Sequence, residues 1–125
     1  MDNKTKFREI ILDSGTRLIL GKDEESNDAL MKKFRGKNNI ILHTLAPGSP
    51  FCVIDKMVFE GDIYATGVIC ARYSQDWRDN KEDVKVSVFT GKDISKPKEV
   101  KTGTWKVKKA KSITIKKEDI LKIEK

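Results

Sequence analysis

The chain carries a single histidine, His43, and two cysteines, Cys52 and Cys70, and these are the side chains best suited to nucleophilic or metal chemistry. A structural zinc site needs four ligands, usually in closely spaced pairs. Here there is no Cys-x-x-Cys and no second histidine, so His43, Cys52 and Cys70 would have to borrow a carboxylate. A Cys52 nucleophile activated by His43 would need the imidazole within reach of the thiol. Cys52, however, lies in the apolar run "PFCVI", and Cys70 in "GVICA", settings of inert, reduced, buried thiols rather than of a disulfide framework. The third reading has His43, in "IILHTLAPGSPF", hydrogen bonding to shape the proline-glycine-serine loop after it. The sequence therefore points away from an enzyme: no catalytic residue, no metal and no cofactor is expected.

Binding chemistry is better represented. Residues 96–125 hold eleven lysines against four acids, an excess equal to the whole net charge of +7. Residues 1–95 are balanced, so the positive field belongs to the C-terminal quarter, where it attracts polyanions such as nucleic acid. A lysine-rich solvated surface of the kind found in thermophiles fits the same charge. Within "TWKVKKAK", Lys106, Lys108, Lys109 and Lys111 are the candidate phosphate ligands. If about five lysines each neutralise a phosphate of a duplex, log K should fall with log salt at a slope of about −4.5. Trp105 sits among them as a core residue or a platform for an unpaired base; Tyr73 and Trp77 face the same choice, and Tyr73 is assigned to the core.

Two loops add candidates. In "APGSP", Gly48 lets a backbone approach closely, Pro47 and Pro50 limit freedom, and Ser49 offers a hydroxyl to phosphate oxygens. In "GKDEESN", Asp23 is expected to cap a helix by accepting from the Ser26 N–H. Lys22 is assigned to phosphate and Asn27 to a base, sugar or loop hydrogen bond. Glu24, Glu25 and Asp28 would repel a phosphate on the helix end itself, so Lys22 must reach away from them.

The elements that position these residues follow from pattern. Alternation in "FREIILDSGTRLILG" predicts paired strands over Lys6–Leu12 and Thr16–Leu20 around an Asp13-Ser14-Gly15 turn. A helix over Glu24–Arg35, closed by Gly36, has acids first and bases last, as the helix dipole favours. "NNIILHTL" and "FCVID" make a second hairpin-like pair. Small and apolar spacings in "EGDIYATGVICARYSQDW" predict a helix able to pack closely on a sheet, and "DWRDNKED" a polar turn. "VKVSVFTG" alternates as a half-buried strand with Val84, Val86 and Val88 on one face, followed by short β pieces in "TWKVKKA" and "SITI" and a last helical turn in "KKEDILKIEK". Together, 125 residues predict one α+β domain, a mostly antiparallel sheet with two helices packed on one face. No run reaches the roughly 20 apolar residues of a membrane span, and the first ten residues lack a signal-peptide core, so a cytoplasmic protein without a membrane partner is expected.

The order of these motifs resembles the NFACT-R domain, the RNA-binding module of the NFACT proteins of ribosome-associated quality control. "GKDEESNDAL" resembles its opening signature, "ILHTLAPGSPFCVI" its histidine segment and loop, and "DIYATGVICARYSQDW" its helix of small residues. "VKVSVFTGKDISKP" and "GTWKVKKAKSITI" are similar to its closing strands, so the likeness runs from about Ile10 to Ile115. Departures are Asn38 and Asn39 where an acid is commoner, and Lys22 where arginine is common; lysine keeps the charge without the planar fork. The resemblance implies a stand-alone module that binds tRNA or ribosomal RNA in translation or ribosome quality control, through the C-terminal lysines and the His43–Ser49 loop. Full-length members carry a large N-terminal domain and a coiled coil, absent from these residues, so the peptide-tailing activity does not carry over. The resemblance also implies the ribosome or a separate NFACT-type chain as a partner. A DNA-binding module, or a protein adaptor whose basic edge meets an acidic partner, fits the charge as well.

Overall fold

The computed structural model describes residues 7–56, 59–95 and 105–124. In chain order the elements are β1 (Arg8–Ile11), β2 (Arg17–Leu20), α1 (Glu24–Phe34), β3 (Ile40–Thr44), β4 (Cys52–Ile54), α2 (Gly61–Arg72), α3 (Gln75–Asn80) and β5 (Val84–Thr90). A 3-10 turn at Gly91–Asp93 leads to β6 (Ile94–Ser95), and β7 (Lys106–Val107), β8 (Lys111–Ile115) and α4 (Lys117–Ile123) follow. Six strands form one antiparallel sheet in the order β1-β2-β4-β3-β5-β8, and β6 pairs with β7 in a small ribbon. The α+β class and the two predicted hairpins hold. Lys6 and residues 96–104 lie outside the described residues.

Where a pair of helices is predicted, the described residues form four, and they cover both faces of the sheet. Register explains the second point. Ile19, Val53, Ile41 and Phe89 are successive cross-strand partners through β2, β4, β3 and β5. That row packs against Leu30, Met31 and Phe34 of α1. The neighbouring row, Leu20, Cys52, Leu42 and Val88, points the opposite way because successive strand residues alternate faces. It meets Val68, Cys70 and Ala71 of α2, with Trp77 of α3 and Ile120 of α4 in the same cluster. Central strands buried on both faces read as continuous apolar runs rather than as alternation, and "LIL", "IIL" and "CVI" are such runs.

The extra helices have local causes. Ser74 ends α2 and starts α3: its hydroxyl donates to the Ala71 carbonyl at 2.7 Å and accepts the Trp77 N–H at 3.1 Å. What reads as a polar turn is thus a short helix whose apolar anchor, Trp77, is buried and donates its indole N–H to Glu124 at 2.6 Å. That bond comes from the far end of the chain. Gly67 delivers the close packing expected of α2, since a Cβ there would lie 2.6 Å from Ile115 Cδ1. No helix among the described residues is long and apolar enough to cross a membrane.

Candidate nucleic-acid interface

The α1 end of the interface is set by capping. Asp23 accepts the Ser26 N–H at 2.8 Å, and Ser26 Oγ accepts the N–H groups of Lys22 and Asp23 at 2.7 and 3.0 Å. These bonds hold the Asp23 carboxyl below its usual range, with the Lys22 charge helping. The predicted cap is therefore present, and it leaves the Lys22 side chain exposed. Asn27 turns the other way: its Oδ1 accepts the Phe51 N–H at 3.0 Å, joining α1 to the chain as it leaves the proline-glycine-serine loop. Gly21 is required at this junction, because a Cβ there would lie within 3 Å of the Asn27 side chain.

The loop between β3 and β4 is built by hydrogen bonds on its inner side. Thr44 donates its hydroxyl to the Ala46 carbonyl at 2.6 Å, and its N–H to Ser49 Oγ at 3.1 Å. Ser49 in turn donates to the Pro50 carbonyl at 3.1 Å. The buried Ser49 hydroxyl thus holds the loop together rather than facing outward. Gly48 has φ +91°, a left-handed conformation that glycine adopts without steric cost, and its carbonyl accepts the Gln75 N–H at 2.8 Å. The loop is stapled to the start of α3.

His43 is half-buried, its ring 4.4 Å from that of Phe51. Its Nδ1 lies 2.7 Å from the Thr44 carbonyl, which places the proton of the neutral ring on Nδ1 and leaves Nε2 as acceptor. Burial pushes the imidazole below its ordinary 6.5, against the pull of the Thr44 and Ser49 carbonyls. His43 shares the α1 face with Ile41, whereas Cys52 pairs with Leu42 and points to the α2 face with Cys70. Strand alternation thus puts both thiols on the sheet face opposite His43, so neither the Cys52/His43 pair nor the His43/Cys52/Cys70 ligand set is brought together on one face. Burial, then the neighbouring Cys70 thiol, push Cys52 well above the ordinary thiol range. Among the described residues, no group of three or more His, Cys, Asp and Glu is placed to hold a metal ion.

Two open clefts flank the loop, and Asn27, Gly48 and Ser49 belong to both. The larger, about 710 Å³, lies beyond the end of α1 on the sheet face, with His43, Ser87 and Trp105 on its surface and the buried Phe51 and Phe89 beneath. Trp105 is half-buried, donates its indole N–H to Asp28 at 3.2 Å, and carries the Arg35 guanidinium 5.9 Å from its ring. Trp105 packs against the α1 cluster on one side and lines the cleft on the other. Lys106, Lys108, Lys109 and Lys111 are all exposed, on β7, in the bend after it and at the start of the edge strand β8. None makes an ion pair among the described residues, unlike Lys32, Lys81, Lys116 and Lys122. The second cleft, about 480 Å³, lies on the other side of the loop and includes Lys22.

Sequence reasoning missed part of this surface. Tyr73, expected in the core, is 40% exposed at the end of α2 and lines the second cleft with Arg8 and Arg78. The break that Ser74 imposes on the helix leaves Tyr73 outside the buried face. Lys85, exposed on β5, shares its face with Ser87 and Phe89; the alternation that put three valines together assigns it to the opposite side, beside His43.

The architecture is that of an α+β domain with an antiparallel sheet and a loop-centred, partly basic surface. The chain belongs to the family described as "NFACT protein RNA binding domain", which matches residues 6–109. Among solved structures it is similar to the C-terminal part of the fibronectin/fibrinogen-binding protein from Streptococcus suis, with a TM-score of 0.78 and 22% sequence identity. That match covers 97% of this chain and 49% of the other, so the chain spans about half the length of its structural relative. No curated protein matches.

Proposed function

We propose that the chain binds RNA, engaging tRNA or ribosomal RNA in translation or ribosome-associated quality control, through the His43–Ser49 loop, the cleft beside Trp105 and the lysines at 106, 108, 109 and 111. Membership of a family of RNA-binding domains supports RNA as the polymer. The observation that carries the placement is the meeting of half-buried rings with unpaired lysines: His43 and Trp105 line one cleft, and Lys106 lies on the strand whose Val107 walls it. Unstacked bases gain about 1–3 kcal/mol each from such platforms, while lysines neutralise backbone charge without reading sequence. His43 supplies an acceptor at Nε2, Lys22 and Gly48 lie on the rim of the loop, and Asn27 and Ser49 act by holding it in place.

Lysine contacts discriminate poorly between RNA and DNA, so the test compares tRNA, single-stranded RNA and matched duplex DNA over a salt series. A preference for tRNA that survives at moderate salt supports a shaped RNA site. Equal, steeply salt-sensitive binding to all three would reduce the site to a basic patch.

A further inference from the structure

We propose that the second cleft, on the α2 side of the loop, is a phosphate-binding subsite formed by Arg8, Lys22 and Arg78. It rests on the RNA reading only for the source of the phosphate. The Arg8 guanidinium lies 4.4 Å from the centre of the Tyr73 ring, and stacking of that kind fixes its plane while leaving its N–H fork free for two parallel bonds to an oxyanion. Arg72 lies 5.1 Å from the same ring and turns toward Glu124 at 3.9 Å, whereas neither Arg8 nor Lys22 has an ion-pair partner among the described residues. Arg78 is met by Asp79 at 3.1 Å, an exposed contact of little weight.

Asp23 and Glu24 also line this cleft. The Asp23 carboxylate accepts the Ser26 N–H at the start of α1, so three cations face two acids, of which one is held by the helix. The volume of about 480 Å³ suits a single nucleotide unit. Gly48 and Ser49 belong to both clefts, so a strand crossing the loop would place a phosphate here and its neighbouring base beside His43 and Trp105.

The test is an NMR titration of the amide spectrum with inorganic phosphate and with adenosine 5′-monophosphate at constant ionic strength, on the wild type and on Arg8→Gln/Lys22→Gln. Both substitutions are at exposed positions, and the circular dichroism spectrum checks that the variant is folded. Saturable shifts at Gly48 and Ser49 that vanish in the variant are expected. Shifts matching those from chloride, or equal in the variant, would overturn the subsite. With short single-stranded RNA the variant should lower the salt slope by about 1.4, about 0.7 for each lost contact. An unchanged slope with RNA still bound overturns the subsite and leaves the RNA reading standing. Phosphate binding without RNA binding upholds the cleft as a site for free nucleotides and overturns the RNA reading.

Discussion

Asn27 Oδ1 accepts the backbone N–H of Phe51 at 3.0 Å, so the helix after the first loop and the strand after the second are fixed to one another across the candidate interface. Phe51 is buried, and Asn27 Oδ1 is the acceptor its N–H finds. Leaving such a donor unsatisfied costs about 1–3 kcal/mol. Asn27→Ala should therefore lose about 1–2 kcal/mol in urea unfolding. Asn27→Asp, which keeps the acceptor, should lose less. Equal stability of all three proteins would contradict the role assigned to this amide.

Gly48 invites a second substitution. Its φ of +91° disfavours any side chain, and a Cβ would lie 2.6 Å from the Gln75 side chain. Gly48→Ala should cost about 1–2 kcal/mol from backbone strain and weaken RNA binding by displacing the loop. Adding Gln75→Ala should relieve the contact and recover only part of the stability, because the strain remains. Full recovery in the thermal melt would show that crowding, not backbone conformation, is what the glycine avoids.

Protonation of His43 gives a pH signature. Burial lowers its folded-state pKa below the ordinary 6.5, so the unfolded chain binds the extra proton first. Stability should be full above about pH 7, fall as pH drops through 6.5 toward the lower folded value, and level off below it as far as this group is concerned. His43→Gln should flatten the pH 7 to 5 portion of a melting-temperature series. A wild-type curve already flat there would contradict a half-buried imidazole held neutral by its surroundings.

Much of this architecture is legible in the residues, and the exceptions have physical reasons. Asp13-Ser14-Gly15 marks the first turn and Gly15 takes φ +94°, as a glycine turn requires. The capping box at Asp23 and Ser26 forms as its sequence demands. Local signals of this kind survive folding because their partners are a few residues away. Trp77 is different: it is placed by Glu124, a contact between residues 47 apart that no window of sequence displays. The cleft at Arg8 escapes notice for the same reason, since β1, the end of α2 and the start of α3 meet only in the fold. Periodicity does identify the apolar runs of β2, β3 and β4; reading them as one-sided hairpins hid the second helix layer.

The thiols provide a separate check. Cys52 and Cys70 are fully buried, and the Cys52 thiol is pushed well above its ordinary range. Native protein should react with a thiol reagent only as fast as it opens, with full reactivity appearing in denaturant. Rapid modification of either cysteine under native conditions would contradict the packing of α2 on the sheet.

The most direct test of the RNA reading is the affinity for tRNA across a salt series, measured for the wild type and for the variant in which Lys106, Lys108, Lys109 and Lys111 are all replaced by Glu. The account predicts tight wild-type binding, severely weakened in the variant, with a salt slope reduced by about 0.7 to 0.9 for each lysine that meets a phosphate. Unimpaired binding by the variant, with the same slope, would contradict the placement of the interface on the C-terminal lysines.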